Sequence, residues 1–372
     1  MASETRNLAA KGALMIIMVA VLASFNVVFC DDNAPIPPQP EQVKTWFNQN
    51  VGPFNQRKNT LDPSLVAAEE SPKVVRVMQG GGGDFKTITD AVNSVPSGNA
   101  KRVIIYIGPG IYHEKIKIER TKNFITFYGA PRGNMPTLTY GGTAQQYGTV
   151  DSATLIVEAD YFVAVNIIIA NSAPRPDGKR PGAQAAALRI SGDKAAFYYC
   201  KLLGFQDTIC DDRHRHFFMN CMIQGTVDFI FGSGRSLYLN TELRVLGDNG
   251  MTVIVAQART MDSQDIAYAF VHCHVTGTGT GSYLGRAWMS HPKVVFAYTV
   301  MSNVVNPQGW SDNMHPEYDR TLYFGEYRNT GPGAVAAGRA KFTKQMSDAE
   351  ARPFLTLAFI DGSKWLLPPP RV

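Results

Sequence analysis

Three stretches of the chain share one alternation of apolar and polar positions. They are Phe197-Tyr-Tyr-Cys200-Lys-Leu-Leu-Gly204, Phe218-Met-Asn-Cys221-Met-Ile-Gln-Gly225 and Phe270-Val-His-Cys273-His-Val-Thr-Gly277. Each reads Phe-x-x-Cys-x-aliphatic-x-Gly. Weaker copies centre on Asn166, Asn240 and Tyr298, so successive copies lie 34, 21, 19, 33 and 25 residues apart. Short alternating strands recurring at uneven intervals of this length indicate a solenoid. An interval of roughly 20–25 residues is too short for a strand plus a crossover helix. One repeat is therefore one turn of an all-β, right-handed parallel β-helix. Phe197, Tyr199 and Lys201 then alternate with Tyr198, Cys200 and Leu202. Cys, Asn and aliphatic residues at one register stack inside, and the cysteines read as small buried hydrophobes rather than bridges.

The ends break this pattern. Within Asp84 to Val95, Ile88, Ala91 and Val92 have helical spacing, which predicts a short helix capping the solenoid. Ser347-Asp-Ala-Glu350 is a capping-box pattern for a second short helix, which Pro353 stops unless it falls in the first turn. Residues 31–73 read as an extension, proline- and Asn/Gln-rich at first, and 74–372 as the β-helical domain. Ahead of both, Arg6 and Lys11 precede an apolar run from Gly12 to Ala23 that continues weakly to Cys30. A basic flank before a run too short to span a bilayer predicts a secretory signal over residues 1–30. Cleavage is expected between Ala23 and Asp31.

Composition fits a chain of many turns, with 33 glycines and 22 prolines among 372 residues. The formal charge is +5, or +4 once Arg6, Lys11 and Glu4 leave with the signal. A positive excess favours a polyanionic partner. Secretion argues against nucleic acid and towards an acidic polysaccharide. Four cysteines remain after residue 30, enough for two bridges in an oxidising compartment if they are not simply stacked.

The repeat also places charge. Asp207 follows Cys200 by seven residues, and Asp228 follows Cys221 by seven. Stacked cysteines imply stacked aspartates, and adjacent strands lie about 4.8 Å apart. At roughly 5 Å and an effective dielectric near 20, the repulsion is about 3 kcal/mol, or about 2 pKa units. The pair should titrate as one coupled system, giving one ionised nucleophile or base and one protonated acid. Asp228 stands in an apolar context, Val227-Asp-Phe-Ile, and Asp207 in a more polar one, Gln206-Asp-Thr. Turn-capping by aspartate remains an alternative, and carboxylates at this spacing also serve retaining glycosidases.

Several segments resemble the plant pectin methylesterases. Gly204-Phe-Gln-Asp-Thr208 is similar to their Gly-(Tyr/Phe)-Gln-Asp-Thr motif. Gly225-Thr-Val-Asp-Phe-Ile-Phe-Gly232 is similar to their signature around the nucleophile. Gly182-Ala-Gln-Ala-Ala-Ala-Leu-Arg189, Leu284-Gly-Arg-Ala-Trp288 and Gly110-Ile-Tyr-His-Glu114 match further motifs in chain order. Asn171 to Arg180 and the tail Lys364 to Val372 look most like the pollen-type branch, which includes allergens. The resemblance implies a parallel β-helix that removes methyl groups from homogalacturonan without metal or cofactor. It implies Asp228 as nucleophile and Asp207 as general acid, then base. Gln206 and Gln184 would be oxyanion donors, Arg286 would orient Asp228, and Trp288 and Thr149 would touch substrate. It also implies a monomer in the cell wall, open to a proteinaceous inhibitor and independent of nucleic acid and membrane.

Three departures stand out. Ala287 replaces a proline and is expected to loosen the loop carrying Arg286 and Trp288. Val150 lacks the aromatic ring of the corresponding family segment. Too few residues precede the domain for the long inhibitor-like pro-region of many plant members. Other chemistries are less well supported. No Gly-x-Ser-x-Gly elbow occurs. His272 and His274 have no clear third metal ligand and read as surface residues. Asp211 and Asp212 are too few for calcium.

Overall fold

The pairing of the first two repeat copies gives the plan of the molecule. One coil contributes strands Ala195–Tyr198, Lys201–Leu203 and Ile209–Asp211 to three different sheets. The next contributes Arg215–Met219, Met222–Gly225 and Ile230–Gly232. Tyr198 pairs with Met219, Leu202 with Ile223 and Ile209 with Ile230, all parallel and all offset by 21 residues. Continued along the chain, this builds one eleven-stranded and two eight-stranded sheets, a parallel β-helix. The computed structural model describes residues 32–131, 133–247 and 250–372, so the predicted signal lies outside the described residues. Among those described, no helix is long and apolar enough to cross a membrane.

The turn from the large sheet to the next one corrects the register of the weaker repeats. Asn166, Tyr199, Asn220, Asn240, His272, Tyr298 and Arg328 all have φ between 49° and 56°. Each directly follows a strand of the large sheet, at one height on successive coils. A left-handed residue bends the chain round the corner, and asparagine accepts that conformation better than most residues. Asn166, Asn240 and Tyr298 therefore sit at the corner, one residue before the position of Cys200, and do not stack inside. The corner also interrupts the simple alternation: Phe197 and Cys200 both face the core, while Tyr199 is exposed. Cys200, Cys221 and Cys273 are buried and unbridged, with Thr241 stacked between the last two. Their thiols donate to backbone carbonyls, as Cys200 Sγ does to Tyr198 O at 3.4 Å. His272 is a further correction. It is buried, with Nε2 2.7 Å from Pro37 O, and only His274 is exposed.

Helices close the exposed faces. In α1 (Pro40–Asn50), proline opens the first turn, and Val43, Trp46, Phe47 and Asn50 form one buried stripe. With α2 (Phe54–Arg57) and α3 (Pro63–Glu69) it belongs to the extension. Phe47 stacks on Phe217 of the large sheet at 5.9 Å between ring centroids. Buried Arg57 donates to Leu366 O at 3.1 Å, tying the extension to the C-terminal segment. The predicted cap is α4 (Ile88–Asn93), which buries Ile88, Ala91 and Val92 against the first coils. A further short helix, α5 (Ala144–Tyr147), lies beside the site described below. The capping box opens α6 (Asp348–Ala351), which passes into a 3₁₀ turn at Arg352–Phe354 where Pro353 forbids continuation.

Inside the large sheet, aromatic rings stack coil on coil. Phe197, Phe218, Tyr238, Phe270 and Phe296 follow at centroid spacings of 4.6, 4.6, 4.5 and 4.5 Å. The next residue in this row is Glu326. A carboxylate at the end of an aromatic column needs full compensation. Arg339 supplies it from the C-terminal cap, with Nε 2.7 Å from Oε1 and Nη2 3.0 Å from Oε2, and Trp310 Nε1 donates at 3.0 Å. Arg339→Met should lower the unfolding free energy by about 3–5 kcal/mol, because it strands a buried charge. A chemical denaturation midpoint unchanged from the parent would contradict that role.

Candidate active site

The two predicted aspartates lie in loops that stack on each other by backbone hydrogen bonds. Thr226 N donates to Phe205 O at 2.8 Å, Asp207 N to Val227 O at 3.0 Å, and Ile209 N to Phe229 O at 3.0 Å. On the other side Ala185 N donates to Gln206 O at 3.3 Å and Ala187 N to Thr208 O at 2.8 Å. The motif glycines are needed for this contact. A Cβ on Gly204 would stand 2.7 Å from Thr208 Oγ1, and one on Gly225 would stand 2.2 Å from Phe229 Cβ. Asp207 and Asp228 both adopt left-handed backbone, φ 64° and 50°, which costs about 1–2 kcal/mol for a residue with a Cβ. That bend aims both carboxylates out of the coil at equivalent heights, on the outer side of the eight-stranded sheet that includes Ile209–Asp211 and Ile230–Gly232.

Both side chains are nearly buried, Asp207 at 8% exposure and Asp228 at 5%. Burial is the main force raising both carboxyl groups above the ordinary range. For Asp207 the charge of Asp228 adds to burial, and no side-chain hydrogen bond among the described residues offsets them; the Arg286 charge lowers it in part. For Asp228 the direct contacts of Arg286 oppose burial. Arg286 Nε donates to Asp228 Oδ1 at 2.8 Å, and its Nη2 pairs with Oδ2. A bidentate guanidinium favours the ionised form. Arg286 therefore favours the ionised form of Asp228, while Asp207, unclamped and beside a like charge, is pushed further towards its protonated form.

Arg286 ends strand Tyr283–Arg286, two coils beyond Asp228. Its Nη1 donates to Asn313 Oδ1 at 3.1 Å, and its guanidinium lies 4.9 Å from the Trp288 ring centroid. Trp288 is half exposed and free to meet a ligand. Ala287 corrects an expectation. It is fully buried, and its N–H donates to Ser311 O at 2.9 Å. Proline could not make that bond, so alanine ties the loop to the next coil and does not loosen it.

Gln206 and Gln184 are half-buried on the coils beside Asp207, and neither side-chain amide has a protein partner among the described residues. Both remain available to a ligand oxygen. Gln184 is held by α5 through Ala144 N to Gln184 O at 2.8 Å. Thr149 lies two coils from Asp207, and its recorded contacts are local: its carbonyl accepts from Ser152 Oγ at 2.6 Å. Val150 is exposed beside it. Asp211 faces the opposite way, into the core, where His216 Nδ1 is 2.5 Å and Tyr238 OH 2.6 Å away. Sequence reasoning missed Asn313, whose position in an irregular loop carries no signal. It also missed the ion pair of Arg189 with Asp151 at 2.6 Å, which the aspartate in Val150-Asp-Ser could have suggested.

Fold and site together define a parallel β-helix that carries a carboxylate pair with an arginine clamped on one member. The pectinesterase family model matches residues 74–363. The chain is 54% identical over 357 residues to pectinesterase 1 of Olea europaea, covering 96% of this chain and 97% of that one. It is 55% identical over 358 residues to putative pectinesterase 63 of Arabidopsis thaliana, covering 96% and 98%. Among solved structures, pectin methylesterase from carrot superposes with a TM-score of 0.74 at 33% identity, over 80% of this chain and 95% of that one. The chain belongs to the pectinesterase family.

Arg286→Met tests the electrostatic assignment. Without the guanidinium, Asp228 holds its proton to higher pH, so the acid limb of the pH–rate profile should move upward. The basic limb, set by Asp207, should move upward as well, but less, because Arg286 acts on it only at a distance. An acid limb that stays in place would show that Arg286 does not set the charge of Asp228.

Proposed function

We propose that Asp228 is the nucleophile and Asp207 the acid–base partner in the hydrolysis of methyl esters on homogalacturonan. The observation that carries this assignment is the bidentate Arg286 clamp on Asp228 beside an unclamped, more strongly shifted Asp207. Ionised Asp228 attacks the C6 carbonyl. The amide N–H groups of Gln184 and Gln206 receive the oxyanion, a contact worth roughly 3 kcal/mol per donor. As the C–O bond to the methoxy group breaks, Asp207 gives its proton to the departing oxygen and methanol leaves. The acyl group is then held on Asp228 as an anhydride. Asp207, now ionised, takes a proton from water, and the water oxygen attacks the acyl carbon. Collapse frees Asp228 and leaves the sugar as a carboxylic acid. Trp288 offers an exposed aromatic face to the polymer beside this centre, and Thr149 a hydroxyl on the far side of Gln184.

The proposal extends to where the chain works. The basic residues Arg6 and Lys11 before the apolar run support export, and a methylated wall polymer is found outside the cell. We infer a secreted monomer of the cell wall, with a proteinaceous pectinesterase inhibitor as a candidate partner.

An assay on highly methylated pectin, following methanol and chain length together, tests the reaction. Methanol should appear with no change in chain length. Asp228→Asn should lower the rate by about 10⁴-fold and Gln206→Ala by about 10²–10³-fold. New reducing or unsaturated ends would assign the carboxylate pair to glycoside cleavage instead.

A further inference from the structure

A second cavity lies on the outer face of the eleven-stranded sheet, and not on the sheet that carries the aspartates. Its volume is about 560 Å³, within the range of small-ligand sites. The floor is one row of the sheet. Arg235, Ala267 and Lys293 begin three successive strands and stand in register, because Arg235 pairs with Ala267 and Tyr268 with Val294. Alanine between two long cationic side chains leaves space between them. The C-terminal segment supplies the facing wall with Arg352, Phe354 and Phe359.

The charges around this space do not balance locally. Arg235 lies over the Phe359 ring at 5.5 Å and pairs with Asp265, whose side chain is 82% exposed. The Nε of Arg235 is buried without a hydrogen-bond partner. The ammonium of Lys293 sits 5.3 Å from the Tyr323 centroid and 5.5 Å from that of Phe354, and it forms no ion pair among the described residues. Burial, then the nearby Arg259 cation, make its charged form less favourable than usual. Three cations therefore line a space with one acidic residue, itself turned to solvent. The rest of the lining is mixed: Asn33, Gln264 and Thr356 are polar, and Ile266, Pro353, Phe354 and Phe359 are apolar.

We propose that this cavity is a second binding site for a uronate sugar, independent of the catalytic aspartates. A planar carboxylate matches the charges of Lys293 and Arg352, which line the cavity and form no ion pair among the described residues. The apolar face of a pyranose ring matches the apolar part of the wall, where Ile266 and Pro353 lie beside Phe354 and Phe359. A compact inorganic anion would use the charge and leave the aromatic wall unfilled. The ligand class rests on the pectin reading above: demethylation produces galacturonate, so the site would hold a stretch of polymer that has already reacted. Methylated sugars lack the carboxylate and would be passed over.

Equilibrium dialysis with digalacturonate tests the site on the intact chain, comparing it with Lys293→Met and Arg352→Gln. Each variant should lose one component of binding by about tenfold or more, the scale of one charge-assisted contact. Methanol release from pectin should stay at the parent rate, which also shows that the variants fold. Neutral galactobiose should not bind at this component, and sulfate should not displace digalacturonate from it. Binding that is the same in both variants would overturn the proposal. So would galactobiose binding as tightly as digalacturonate, or sulfate displacing it. These outcomes leave the esterase assignment standing, whereas absence of methanol release from the parent chain would count against that assignment alone.

Discussion

The parallel backbone ladder between coils is the constraint on which the rest depends. Each coil is hydrogen-bonded to the next at a fixed spacing of about 4.8 Å. A residue type repeated at one register therefore becomes a column. The offset of 21 residues between two coils turns Phe197 and Phe218 into a stack, Cys200 and Cys221 into a packed pair, and Asp207 and Asp228 into neighbours. The first two results stabilise the fold. The third opposes it, since two acids are held together in a nearly buried place.

That opposition is resolved by asymmetry. Asp228 receives a guanidinium from a strand two coils away, 58 residues on in sequence. Asp207 receives no such partner among the described residues, and burial beside the Asp228 charge pushes it towards its protonated form, which eases the conflict. Arg286 is in turn fixed by Asn313, by the Trp288 ring and by the buried Ala287 hydrogen bond. The loops that carry both left-handed aspartates are held by backbone bonds between neighbouring coils. The carboxylate pair and its guanidinium are therefore positioned by the fold itself, whereas the side-chain amides of Gln184 and Gln206 are left for a ligand to engage.

Much of this was legible in the sequence because repetition carries three-dimensional information. Three Phe-x-x-Cys copies were enough to give the coil, its parallel character and the pairing of the aspartates. The exact register of the weaker copies was not legible. Asparagine at the corner and cysteine just inside it are adjacent and similar in size, and only φ separates them. His272 illustrates the same limit: its corner position is a property of the coil, and its burial comes from Pro37 in the distant extension. Arg286 and Gln184 entered through family resemblance, since no local pattern links either to Asp228. Asn313 had neither repetition nor resemblance to mark it. Information that lies within one coil could be read, and information carried between distant loops could not.

The contrast between Asp207 and Asp211 shows why position alone does not make an acid functional. They are four residues apart on one coil, and both are buried. Asp211 points inward, where His216 and Tyr238 occupy its two oxygens at 2.5 and 2.6 Å. Its hydrogen-bonding capacity is used within the protein, so it contributes to the core and has little left for a ligand. Asp207 points outward with no side-chain donor among the described residues, next to a charge of its own sign and to a glutamine amide that is also uncommitted there. An unsatisfied buried carboxyl is unfavourable in a resting protein. In the proposed mechanism the departing methoxy oxygen and the attacking water are the partners it lacks, and each supplies the missing hydrogen bond at the step where a proton must move.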